Sequence, residues 1–169
     1  MPGTSRKKKT KKKPVELFIS YAHLNAAWFD RLRPMLKFDG CRDKAYIWND
    51  QQMKAGDRWD QKIREALERM DVFVCLVSIE FLTSGYIRDV ELARAFQREA
   101  GKEIEIVPIV IYPNIDLKNE SPELIGFNPL PAWGKSWREF EGEPGDYGDA
   151  NGLIRTGLWQ AIEKVKSRR

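Results

Sequence analysis

The chain has 169 residues, of which 29 are basic, 25 acidic, two cysteine and one histidine, a length that suits one domain with its own hydrophobic core. Seven of the 29 basic residues lie between Arg6 and Lys13, leaving 22 basic against 25 acidic, so the pI of 9.0 belongs to a tail rather than to a basic groove. Cys41 and Cys75 are far apart, which suggests neither a disulfide framework nor a metal cluster, and no apolar run approaches a membrane span.

Residues 1–14 read as a disordered basic arm, whose reach toward nucleic acid is weak and unspecific. The arm lacks the apolar block and cleavage site of a signal peptide, so a cytoplasmic, soluble protein is expected. Val15 to Ser20 (VELFIS) is the first predicted strand. A helix follows, with Trp28, Leu32, Met35 and Leu36 on one face. Pro34 predicts a kink or an early end there, and Asp39 and Gly40 close the segment. Ala45 to Trp48 (AYIW) is a second strand. Asn49 to Arg58 is a polar loop, after which Trp59, Ile63, Ala66, Leu67 and Met70 mark a helix, with Asp57 as its expected N-cap.

Val72 to Val77 is a continuous apolar run bounded by Asp71 and Ser78, the signature of a strand covered on both faces. A short polar loop with Ser78, Thr83, Ser84 and Gly85 leads to a helix from Tyr86 onward, with Val90, Ala93 and Phe96 at three-residue spacing. Glu91 then falls in the first turns of a helix beside the end of a central strand. Glu103 to Tyr112 is another apolar strand, in which Pro108 predicts an end, a bulge or an edge. Asn114 to Asp146 reads as irregular, with a short strand near Leu130 to Trp133. The last helix runs from Asp149 to Lys166 and buries Ile154, Leu158, Ile162 and Val165.

Helical crossovers between strands give a parallel, doubly wound sheet with helices on both faces. The loops after Ser20 and after Ser78 then face one crevice, where such sheets bind ligands. A glycine-rich phosphate loop, a G-x-S-x-G elbow and a spaced His/Cys metal set are missing from the sequence. His23, the one histidine, reads first as a surface residue after a strand.

Phe18 to His23 (FISYAH), the W-x-D of Trp48 to Asp50, Gly56 followed by Trp59, VCLVS at Val74 to Ser78, SGYIRDVELARA at Ser84 to Ala95 and IVPIVI at Ile106 to Ile111 stand in this order. Together they resemble a TIR (Toll/interleukin-receptor) domain of the bacterial kind, over about residues 15–169. The resemblance implies a three-layer flavodoxin-like α/β fold with a five-stranded parallel sheet of order 2-1-3-4-5. It also implies an NAD glycohydrolase or ADP-ribosyl cyclase, commonly in anti-phage defence, with NAD as substrate and no further cofactor or metal. The alternative is a non-enzymatic adaptor that recruits other TIR domains.

On this resemblance the catalytic residue is Glu91. Tyr21, Ala22, Trp59, Ser84, Tyr86 and Ile87 are the expected substrate-binding positions, and Asp50, Gly56 and Asp57 belong to the BB loop, which serves as lid and self-association interface. For Trp59 core packing is the competing reading, and for Ser84 it is helix capping. Some enzymatic relatives have tryptophan four residues before the glutamate; here Ile87 stands there, and Tyr86 is the candidate replacement. Arginines that follow the tyrosine in many relatives are replaced by Ala22 and His23. A chain of this length leaves no room for a separate sensor domain, so control is expected from another sensor or effector protein or from assembly.

Overall fold

The computed structural model describes residues 13–36, 45–48, 55–140 and 148–169. The basic arm up to residue 12, the turn at Asp39 and Gly40, Cys41 and the part of the BB loop that holds Asp50 lie outside the described residues. Strands β1 (Val15–Ser20), β2 (Ala45–Trp48), β3 (Val72–Val77) and β4 (Glu105–Val110) form a parallel sheet in the order β2-β1-β3-β4. The first three have the predicted bounds, while β4 is shorter than the apolar run that predicted it. Among the described residues no fifth strand forms. Its place beside β4 is held by one parallel bridge between Ile109 and Leu130, with Val110 N–H donating to the Leu130 carbonyl at 2.9 Å and Leu130 N–H to that of Pro108 at 2.8 Å. Pro129 and Pro131 flank Leu130 and have no N–H to extend the ladder. The Pro108 carbonyl points to this outer side, so its own missing donor falls on the sheet edge, as expected of a strand proline.

The six residues of β3 are all buried and alternate between two cores. Val72, Val74 and Leu76 pack on one face with α1 (Ala26–Leu36) and with α6 (Gly148–Ser167), the helix that follows the short α5 (Leu117–Glu120). Phe73, Cys75 and Val77 pack with α2 (Trp59–Arg69), α3 (Ile79–Thr83) and α4 (Ala93–Ala100) on the other. Alternation along a strand thus makes one apolar run serve both layers. The predicted inner faces of α1 and α6 are buried as expected, and α1 continues through Pro34 to Leu36.

Three local expectations are corrected. The N-cap of α2 is Arg58, with no side-chain cap bond, so Asp57 does not cap it. The segment after β3 is not all loop: Ser78 accepts from Phe81 N–H at 3.0 Å and caps the short α3. The third concerns the helix that carries Glu91. It opens as a π-helix, Ile87–Leu92, before α4, and its buried residues are Ile87, Glu91, Leu92 and Ala95 rather than Val90 and Ala93. A π-turn holds one residue more than an α-turn and so shifts the helical phase of the residues beyond it.

The irregular segment after β4 carries two tryptophans with different fates. Trp137 is fully buried, with Trp28 at 5.0 Å between ring centroids, whereas Trp133 is 57% exposed. Trp137→Ala is expected to lower the unfolding free energy by about 3–5 kcal/mol, and Trp133→Ala by about 1 kcal/mol or less. Denaturant unfolding followed by circular dichroism measures both, and equal losses would contradict this packing.

Candidate functional site

The reversal of winding between β1 and β3 opens a crevice at their carboxyl ends. A cavity of about 530 Å³ occupies it, lined by residues of β1, the loop after it, the start of α2 and the segment leading into α4. Of the predicted site residues it brings together Glu91, Tyr21, Ala22, Trp59, Ser84, Tyr86 and Ile87. Gly56 and Asp57 are not among its lining residues. Gly56 has a φ of +87°, a left-handed conformation that glycine adopts without strain, at the turn just before α2.

Glu91 is 7% exposed, so its carboxylate needs donors inside the protein. Strand parity supplies one. Phe18 of β1 faces the layer that contains α2 and α4, and Ser20, two residues on, faces the same way. The Ser20 hydroxyl donates to Glu91 Oε2. Ser20 was absent from the expected site; the available signal was a hydroxyl residue closing an apolar strand at the crevice. Cys75 pairs in register with Ser20 across the sheet. Burial, and then the charge of Glu91, push its thiol far up, so it stays protonated and is no nucleophile.

Trp59 is half-exposed and lines the cavity, so it is not buried with Ile63, Ala66 and Leu67 of the same helix. It meets Tyr86 with ring centroids 4.7 Å apart and planes at 53°. The Tyr86 hydroxyl donates to Asp60 Oδ1 at 2.8 Å, and Arg64 Nε donates to Asp60 Oδ2 at 2.9 Å. Burial and this bond to Asp60 raise the Tyr86 hydroxyl above its ordinary range, so the ring is neutral. Arg64 and Tyr86 in turn hold the Asp60 carboxyl below its ordinary range.

Ser84 lies where capping and the cavity meet. Its Oγ accepts from Ile87 N–H at 3.3 Å, and the residue also lines the cavity. Tyr21 is buried and stacked on Phe29 at 5.1 Å, and Ala22 leads into a 3₁₀ turn, His23–Asn25. Within that turn His23 is exposed and lines the cavity, while Asn25 is buried and accepts from the Ser78 hydroxyl at 2.6 Å. That bond ties the loop after β1 to the loop after β3.

Among the described residues no group of three or more His, Cys, Asp and Glu could hold a metal, and no helix is long and apolar enough to cross a membrane. The arrangement is a buried carboxylate beside two aromatic rings and a hydroxyl, suited to stabilising positive charge next to a planar group.

Comparison with known proteins gives a match to the TIR domain family model over residues 17–143. The uncharacterized protein y4lF of Sinorhizobium fredii is 28% identical over 95 residues, covering 56% of this chain and 29% of that relative's length. The family match takes in β1 from Leu17 onward, β2 to β4, the crevice residues and Glu91, so this chain belongs to the TIR domain family.

Proposed function

We propose that the chain is an NAD-cleaving TIR domain, a glycohydrolase or cyclase whose working carboxylate is Glu91. The observation that carries this reading is a carboxylate only 7% exposed that lines a ligand-sized cavity walled by Trp59 and Tyr86. TIR domains include NADases, and defence against phage is the setting that the resemblance to bacterial members implies.

The reaction asks little of the protein beyond electrostatics. When the bond between nicotinamide and ribose C1′ breaks, its electron pair neutralises the pyridinium ring, which leaves without protonation. Positive charge develops on the ribose as an oxocarbenium ion. Glu91 stabilises that charge and accepts hydrogen bonds from ribose hydroxyls, and Ser20 holds its carboxylate in place. Trp59 and Tyr86 offer a wall for the departing planar ring. Water, or a second nucleophile such as an adenine nitrogen, then bonds to C1′ and loses a proton. Both routes use the same carboxylate, so the product depends on what occupies the rest of the cavity.

Purified protein is expected to release nicotinamide from NAD, and Glu91→Gln to slow this by about 10²–10³-fold or more; chromatography separates linear from cyclic products. Release by the variant at the wild-type rate would refute the role of Glu91. Silence of both proteins at high concentration would favour the adaptor reading.

TIR domains generally self-associate, and the BB loop is the proposed contact. Turnover per molecule is accordingly expected to rise with protein concentration over a dilution series; a flat response would exclude activation by assembly.

The Ser20 hydroxyl has a stability consequence that needs no substrate. Ser20→Ala is expected to cost about 1–3 kcal/mol, because a buried carboxylate loses a donor. The same change should cost less beside Glu91→Gln, whose acceptor is uncharged. Additive losses in a double-mutant denaturation cycle would deny the coupling.

A further inference from the structure

Tyr86 and Glu91 are five residues apart, and both line the cavity. In a regular α-helix, at about 100° per residue, five steps leave two side chains about 140° out of phase. The π-helix over Ile87–Leu92 changes this: Ala93 N–H bonds back to the Arg88 carbonyl, five residues earlier, and the wider turn brings a residue round over its fifth predecessor. A side chain that α-helical phase would carry round the helix thus shares the crevice with Glu91. Turning the ring into the crevice does not fix its angle, since a tyrosine still rotates about two side-chain bonds.

The hydrogen bond from the Tyr86 hydroxyl at 2.8 Å to Asp60, one residue beyond Trp59, supplies that restraint. It ties the Glu91-bearing segment to the first turn of α2, the element that presents the other ring. Arg64, one helical turn on, holds the second Asp60 oxygen at 2.9 Å and fixes the carboxylate plane.

Resting on the reading above, we propose that Asp60 is a positioning residue: through the Tyr86 hydroxyl it locks the two rings into one rigid corner that receives the planar nicotinamide ring beside Glu91. Asp60 itself touches neither the ribose nor the leaving group. Its contribution is to ring placement before reaction, so it acts on ground-state and transition-state binding alike.

Kinetics of NAD cleavage by full-length wild type, Asp60→Ala, Asp60→Asn and Tyr86→Phe test this, together with NAD titrations of the same proteins carrying Glu91→Gln, read by tryptophan fluorescence. Asp60→Ala and Tyr86→Phe are expected to raise KM, and Kd in the Glu91→Gln background, about tenfold, with kcat within about threefold of wild type, the pattern of lost uniform binding. Asp60→Asn, which keeps an acceptor oxygen, should restore most of the affinity. An active wild type with unchanged KM and Kd in Asp60→Ala would overturn the positioning role and leave the enzymatic reading intact. A fall in kcat alone, or an Asp60→Asn as weak as Asp60→Ala, would also overturn it. A wild type that neither cleaves nor binds NAD would overturn the enzymatic reading, and this proposal with it.

Discussion

The burial of one carboxylate sets the terms for the rest of this structure. Glu91 sits where apolar residues would pack more cheaply, and its retention requires a donor at a defined point on a neighbouring strand. Ser20 can be that donor because β1 pairs parallel to β3, and because strand parity turns Ser20 toward the layer that carries Glu91. A one-residue slip of β1 would send the hydroxyl to the opposite core. The register of the central strand pair and the chemistry of the crevice are thus a single constraint.

Two further ties keep the crevice in shape. The Ser78 hydroxyl serves twice, accepting from Phe81 N–H to start α3 and donating to Asn25 in the loop after β1. The Tyr86–Asp60 bond joins the segment leading into α4 to α2. Each connects elements far apart in sequence across the carboxyl ends of the strands, which is the end the cavity uses. At the opposite end of the strands Lys164 of the last helix pairs with Glu105 at 2.8 Å, and Arg169 with Asp71 at 2.6 Å. The basic residues that end the chain therefore have partners on the sheet.

The strands β1, β2 and β3 were legible to the residue because short runs that are wholly or mostly apolar, rich in β-branched and aromatic residues and bounded by polar ones, favour strands. The expected cavity residues were legible only through the family resemblance, and all seven line one cavity. Ser20, Asp60 and the π-turn were not legible. A serine at a strand end and an aspartate in the first turn of a helix are common surface choices, and only their partners 71 and 26 residues away distinguish them. Trp133 and Trp137 make the same point in the irregular segment, since equal hydrophobicity in sequence became opposite burial in space.

By itself the sequence determined the alternation of strands and helices and most of the apolar faces that α1, α2 and α6 bury. Both arise from local periodicity, which is written along the chain; the strand order, with its reversal between β1 and β3, was legible only through the family resemblance. Tertiary structure alone decided the pairing of Ser20 with Glu91, the wider turn that brings Tyr86 and Glu91 into one cavity, the half-exposed Trp59 and the bridge at Leu130 that, among the described residues, stands in place of a fifth strand. Those features depend on contacts between distant segments. Their energies arise only when burial removes water from polar groups and forces each to find a partner.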